Sequence, residues 1–423
     1  MRALRHPAAF WIAAAALSAA VAVALWQAGR TAPRIVNDST GYTQFEFAWP
    51  AFLAQRRTPG YPLVLAAAGG RTAAMPWVHV AVYAGGAAAF AAAVVGGGIG
   101  RRLLVAAALL SANILWLYVD TVATDTVAAG LGLLTMAAAF RAGRGSRGWI
   151  AAAVGLATVA WLVRPTMLAL VVAAPAAAYF AAREDRPRRT ALRPAAVLFA
   201  GAAAVVLAWC GLRWAALGDF GAVSFGGHNL IGIAGQFPEA DGLSTDDPEL
   251  GAVRDAAAAA RAASEPAMAE AAPMNYLRLE NNHDATIWRL YEPPARERSA
   301  DYVAADRLLA RHAAALIRHA PWRYAEWLAK ATRQAVRGTF DGLASNLAGL
   351  ALILAVFAGT CVGPGMVGLR TRTLTAVAVT YWAGLTAVTV LVVPPRGRMT
   401  DAAGLLLMAV LASATADLWT RRR

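Results

Sequence analysis

Ten apolar runs, several reaching the roughly 20 residues that a helix needs to cross a bilayer, set the terms for any fold this chain can adopt. They lie at 8–28, 76–98, 103–119, 126–140, 149–163, 166–182, 194–214, 343–360, 373–393 and 402–419. Some are short by this count, but boundaries read from sequence shift by several residues. The runs are continuously rich in Ala, Leu and Val, without the two-residue alternation of a membrane barrel strand. Composition agrees: 59% of residues are apolar and 15% charged, against about 45–50% and about 25% in soluble domains. The expectation is an all-α polytopic membrane protein of about ten transmembrane helices. The run 8–28 has no convincing cleavage site and reads as a retained helix rather than a signal peptide.

A net charge of +14 is compatible with nucleic-acid binding, yet the arginines sit in short clusters at the ends of apolar runs, where topology signals belong. No nucleic acid is expected as a partner. With ten crossings starting inside, the inside ends hold Arg2, Arg5, Arg101, Arg102, Arg141, Arg144, Arg147, Arg183, Arg186, Arg188, Arg189, Arg193, Arg370, Arg372 and Arg421–Arg423. The short outside segments hold Arg30, Arg34, Arg56, Arg57, Arg71, Arg164, Arg396 and Arg398. The bias places both termini in the cytoplasm of a plasma-membrane protein. It also makes 61–70 a half-buried or surface helix rather than a further span. Cys210 and Cys361 fall near opposite ends of their spans, so no disulfide is expected.

This topology divides the chain into three. Residues 1–214 form a transmembrane module with an outer loop at 30–75, and 343–423 form a second module. Between them, 215–342 is polar, with juxtamembrane character: 301–337 reads as an interfacial helix split at Pro321, and 250–272 as a helix or a disordered piece. The outer face then receives Asp38, Asp120, Asp125, Arg164, Arg396 and Arg398 together. Ionisable groups at membrane depth are costly and default to a functional reading. A carboxylate facing several arginines suits transfer of a group from a phosphate-bearing lipid. The acid takes a proton from an attacking hydroxyl, while guanidinium forks hold the departing phosphate.

The sequence Asp38-Ser39, then Tyr42, then Arg57-Thr58-Pro59-Gly60-Tyr61-Pro62, resembles the first outer loop of the GT-C class of membrane glycosyltransferases. That superfamily includes protein O-mannosyltransferases, aminoarabinose transferases and related polyprenyl-phosphate-sugar enzymes. Thr124-Asp125, Arg164-Pro165, Ala320-Pro321-Trp322-Arg323-Tyr324 and Arg398-Met399 continue the resemblance. It implies a GT-C-like helical fold whose outer-face cavity takes a polyprenyl-phosphate sugar donor and passes the sugar to an unidentified acceptor: protein, lipid or polysaccharide. By the same resemblance Asp38 is the catalytic base of an inverting displacement. Asp125, the second catalytic residue, shapes the donor phosphate site with Arg57, Arg164 and Arg398; Tyr42 and Tyr61, and Arg396 by its position before the last apolar run, complete the substrate-binding set. The chain has one acid at Asn37-Asp38 where many members have a pair, and Met399 where an aromatic is usual. No metal ligand set is identified, and a divalent cation, Mg or Mn, stays open.

Plainer readings compete. Asp38 and Asp125 suit helix caps, Arg164 a snorkelling anchor, and Asp120 an interfacial turn. His79 reads as a hydrogen-bonded packing residue, and His283-Asp284 as a solvated loop. A transporter or flippase, or a non-catalytic envelope-assembly protein, are the alternative functions. Against transport stand the lack of a visible inverted repeat and the gathering of candidates on one face.

Overall fold

The computed structural model describes residues 7–96, 98–264, 274–362 and 368–420. Arg2, Arg5, Arg421–Arg423, the end of the 250–272 piece and the Cys361 side chain lie outside the described residues; Cys210 is a free, buried thiol. Among the described residues the only β-structure is an isolated bridge, and each of the ten apolar runs is helical over most of its length. The principal helices are α1 (Pro7–Gln27), α2 (Gly60–Ala67), α3 (Met75–Val94), α4 (Ile99–Leu110), α5 (Asp125–Gly143), α6 (Arg147–Val163), α7 (Leu170–Arg183) and α8 (Arg188–Leu217). They continue with α9 (Gly226–Ala234), α10 (Tyr302–His319), α11 (Pro321–Ser345), α12 (Leu347–Val362), α13 (Leu369–Val390) and α14 (Gly397–Thr420).

Among the described residues seven helices are long and apolar enough to cross a membrane: α1, α3, α5, α7, α8, α13 and α14. Counting the bent pair α11–α12 as one span gives eight, two short of the ten expected; the three runs outside the seven are broken, short or bent. The run 103–119 breaks after Leu110 and resumes as a single turn, Asn113–Trp116. The apolar helix α6 has only 17 residues. The eighth expected span, α12, meets α11 at an angle of 97°. Side chains hold that bend: Asn346 Nδ2 donates to the Ser111 carbonyl and, at 3.0 Å, to Asn113 Oδ1. Asn113 Nδ2 in turn donates to the Gly342 carbonyl at 2.9 Å. A kink with an inserted polar network needs no proline.

Small residues set the packing. A Cβ on Gly130 of α5 would lie 2.8 Å from the Val82 carbonyl oxygen of α3, so the two backbones touch as membrane helices do when glycine or alanine faces alanine. α5 is buried along nearly its whole length and forms the bundle's centre. Large apolar side chains left exposed, such as Trp11 and Ile12 on α1 and Leu207 on α8, face the lipid.

The 215–342 segment has its own core around Ile231, Phe237, Leu309 and Trp327. The split at Pro321 is present: Ala320, ahead of the proline, leaves helical geometry at φ −132° and ψ 64°. Helix Pro248–Ala262 covers the first half of the alanine-rich piece. The segment docks on the end of α13, where Trp327 Nε1 and Tyr324 Oη donate to the Val390 and Leu391 carbonyls at 2.8 and 2.6 Å.

Candidate active site

The loop after α1 is fastened before it reaches Asp38. Arg34 N–H donates to the Asp120 carbonyl at 2.7 Å and Val122 N–H to the Arg34 carbonyl at 3.0 Å, a bridge that ties the loop to the turn preceding α5. Arg30 and Arg34 also pair with the buried Asp120 carboxylate at 3.2 and 3.4 Å. Asp120 is therefore a fastening residue within the turn. Next, the fully buried Ser39 hydroxyl accepts from Val36 N–H and donates to the Val122 carbonyl at 2.8 Å. Asp38 is thereby held above the first turn of α5, whose first residue is Asp125.

Five charges from four distant parts of the chain alternate in one line. Arg57 Nη2 donates to Asp38 Oδ1 at 2.6 Å, and Arg398 Nη2 to Asp38 Oδ2 at 2.9 Å. The other arm of Arg398 lies 3.8 Å from Asp125 Oδ2, and Arg164 Nη1 donates to Asp125 Oδ1 at 2.5 Å. Arg164 is fixed further by Thr124 and Thr166 hydroxyls at 3.0 and 3.1 Å. Exposure grades along the line. Asp125 is 4% exposed and Arg164 10%, whereas Asp38, Arg57 and Arg398 keep 27–30% of their side chains open. The Asp38–Arg57–Arg398 end is the one a ligand can reach. Burial works against ionising Asp38, but Arg57 and then Arg398 outweigh it and hold its carboxyl below the ordinary value.

Tyr42 and the PGYP stretch support Arg57. Its guanidinium lies 5.3 Å from the Tyr42 ring centroid, and Tyr42 packs edge-on against Tyr61 at 4.9 Å. Tyr61 is fully buried, and burial raises its phenol well above the ordinary range. His79 Nδ1 faces the Val119 carbonyl at 2.6 Å, so Nδ1 carries the proton and Nε2 accepts from the Tyr61 hydroxyl at 3.0 Å. His79 is the packing residue its position suggested. Tyr61, expected in the substrate-binding set, gives its hydroxyl to His79 and packs against Tyr42. Arg396 pairs at 3.0 Å with Asp284 of the 215–342 segment, and no ion pair among the described residues joins it to the line of five. His283, read as solvated, is buried between Asp284 and the Asn229 carbonyl.

The donor set does not fit a divalent cation. Magnesium takes six near-ideal oxygen contacts, whereas both Asp38 oxygens are occupied by guanidinium groups and three arginines surround two acids. Among the described residues no group of three or more His, Cys, Asp or Glu side chains comes together. What the arrangement can do is receive an anion: the open arginines can exchange a carboxylate for a phosphate, which frees a carboxylate oxygen beside it.

No protein-family model matches the chain, and no curated protein matches it. It is similar to the crystal structure of ArnT from Cupriavidus metallidurans in the apo state. The similarity covers 98% of this chain and 78% of that one, at 16% identity and a TM-score of 0.36. Likeness at that level fixes no activity, which has to come from the residues.

Sequence reasoning missed Arg56. Its guanidinium lies over Trp288 and Tyr302 of the 215–342 segment, at 5.2 and 4.6 Å from the ring centroids. The Arg56-Arg57 pair was the available signal, but its aromatic partners lie more than 200 positions away.

Proposed function

We propose that this integral membrane protein is a GT-C-like, inverting glycosyltransferase that takes a sugar from a polyprenyl-phosphate donor. The observation supporting this reading is the line Arg57–Asp38–Arg398–Asp125–Arg164, open at Asp38 and closed at Asp125. In the reaction Asp38 accepts the proton of an acceptor hydroxyl, whose oxygen attacks the anomeric carbon from the face opposite the phosphate. The bond from that carbon to the phosphate oxygen breaks, and the electron pair leaves with the prenyl phosphate. Arg57 and Arg398 neutralise the charge that gathers there. Before the donor arrives, the same two arginines occupy Asp38 and keep it a weak base. A phosphate drawing them away raises its basicity when a base is needed. Arg164 and the buried Asp125 hold Arg398 in place, and Tyr42 does the same for Arg57.

The site faces outward and both termini lie in the cytoplasm on this reading. Its support is that the line of five gathers where α5 and α14 begin and α6 ends, while Arg144 and Arg370 meet Glu184 at the far end. Crossing parity gives ten if the broken 99–116 pair, α6 and the bent α11–α12 pair each span. The acceptor, whether protein, lipid or polysaccharide, would meet the 215–342 segment, which lies beside Arg57 through Phe225.

The test is incubation of the purified protein with radiolabelled prenyl-phosphate sugars, following loss of label from the lipid. Asp38→Asn is expected to lower turnover by about 10²–10⁴-fold, the usual weight of a general base, at unchanged expression. Transfer at the wild-type rate would remove Asp38 from the mechanism.

A further inference from the structure

Among the described residues the Arg56 side chain forms no hydrogen bond or ion pair; exposed Arg71 and Arg289 share that, but only Arg56 of the three lies on aromatic rings. Arg30, Arg34, Arg57, Arg164, Arg213, Arg396 and Arg398 each face a carboxylate, and several also a carbonyl or hydroxyl. Among the described residues the Arg56 guanidinium meets ring faces alone, those of Trp288 and Tyr302, and Arg296, itself paired with Glu292, lies over the Tyr302 ring at 5.9 Å. A cation laid on two aromatic faces is held in position without using its N–H edge, and the side chain is exposed. The platform itself is built rather than incidental. Tyr302 stacks on His228 at 4.7 Å and 13°, and His228 on Phe225 at 5.6 Å and 18°. Phe225 in turn lies under Arg57, 5.6 Å from its guanidinium carbon. Trp288 projects from a π-helical turn, Thr286–Tyr291, a geometry that concentrates at functional sites.

Two polar atoms in this stack are buried without a hydrogen-bond partner, His228 Nε2 and Tyr302 Oη. Asp306 takes both the backbone and the Nδ1 proton of His228, at 2.9 and 2.6 Å, leaving Nε2 unspent. Burial keeps the Tyr302 phenol protonated and able to donate. With its proton on Nδ1, His228 Nε2 can only accept, so of the two it is the Tyr302 hydroxyl that can donate to an anion.

Charge defines its class. The line of five has three arginines against two aspartates, a net of one positive charge. That matches the single negative charge of one phosphodiester. Nearby, Glu292 is turned to Arg296 and Asp306 to His228, so neither offsets Arg56 directly. Arg56 therefore adds a second positive charge next to a site already balanced for one phosphate.

We infer that Arg56, on its Trp288/Tyr302 platform, is a second phosphate-binding position beside Arg57, which receives a further phosphate carried by a substrate. The inference rests on the donor reading above. The second phosphate has two possible carriers: the donor, if it is diphosphate-linked, or the acceptor.

The test measures dissociation constants for the purified full chain in detergent at about pH 5, where a phosphate monoester carries about one negative charge, with farnesyl phosphate, farnesyl diphosphate and inorganic phosphate as probes. If the donor carries both phosphates, wild type prefers the diphosphate. Arg56→Gln then weakens the diphosphate by about tenfold to a hundredfold, as for a charge-assisted hydrogen-bonded contact, and leaves the monophosphate unchanged. If the acceptor supplies it, the diphosphate shows no advantage, but inorganic phosphate binds to the farnesyl phosphate complex and Arg56→Gln abolishes that binding. Trp288→Leu moves the affected constant the same way by removing part of the platform. Arg56→Gln without effect in either arm overturns the inference. Arg57→Gln is run in parallel: if it leaves farnesyl phosphate binding intact, the donor reading itself fails, and that result is separate from the fate of Arg56.

Discussion

Asp38 and Arg398 stand 360 positions apart in the chain and 2.9 Å apart in the fold, and the same guanidinium reaches on toward Asp125. Arg398 thus couples the open carboxylate to the buried one. A lysine there offers a point charge that cannot address both acids at once. Arg398→Lys is expected to lower turnover about tenfold or more, since the phosphate and the base lose their shared alignment. Initial rates against donor concentration check this, and wild-type turnover would show that charge alone suffices at that position.

The Asp125–Arg164 pair carries a different prediction because almost none of it meets solvent. Arg164→Met leaves Asp125 with a buried charge whose main partner is gone, which costs about 3–5 kcal/mol in comparable pairs. The double variant Asp125→Leu with Arg164→Met removes both charges and is expected to recover most of that stability. It should not recover transfer, because Arg398 then has no second anchor. Thermal unfolding in detergent reads the first effect and label transfer the second. If Arg164→Met unfolds at the wild-type temperature, the pair is not the anchor described here.

How much of this could be read from sequence follows from what sequence encodes. The ten helical runs came from continuous apolarity, the break at Ala320 from the proline after it, and the short α2 from topology parity. Asp38, Asp125, Arg164 and Arg398 were legible as members of one set because each follows or precedes an apolar run on one side, whereas Arg57 entered only through the resemblance of its loop. Which acid faces which arginine was not, because pairing depends on how helices far apart in sequence rotate against each other. Arg396 shows the limit. It sits two residues from Arg398 on the same turn, yet the geometry sends it to Asp284, a residue with no sequence signal linking it to that turn. Tyr61 shows another. PGYP marked a constrained segment, but that its hydroxyl would be taken by His79 depends on α3 packing beneath it.

The glycine of that motif has a packing role that can be tested alone. A Cβ on Gly60 would sit 2.4–2.6 Å from the Leu162 carbonyl group and the Val163 nitrogen, all backbone atoms at the end of α6. They cannot swing aside as a side-chain tip can, so α2 or the end of α6 has to move. Arg164 follows directly after Val163. Gly60→Ala is expected both to lower the unfolding temperature, with a penalty of about 1–3 kcal/mol typical of overpacking, and to reduce transfer by displacing Arg164 from Asp125. Gly211, whose added Cβ would meet nothing within 4 Å, is the control. Equal behaviour of Gly60→Ala and Gly211→Ala would refute the close-packing account.

The last prediction concerns pH and follows from the sign of the Asp38 shift. Its folded-state value lies below the ordinary 3.8, because Arg57 and Arg398 overcome the burial that opposes charge. A group depressed in this way contributes stability that is fully present above the unfolded value and is lost as pH falls through the folded one. The unfolding-temperature difference between wild type and Asp38→Asn should therefore stay constant from about pH 8 to about pH 5 and shrink below about pH 4. It should be small throughout, since the carboxylate and its partners are about a third exposed and solvent screens them. For the free enzyme, kcat/KM should show no acid limb from Asp38 over the same range. When a donor phosphate draws Arg57 and Arg398 away, the carboxyl loses the partners that depressed it and its value rises. The acid limb of kcat should then lie at higher pH than that of kcat/KM. Coincident limbs would mean that the arginines stay on Asp38 throughout the cycle, and that the carboxylate is not released to act as a base.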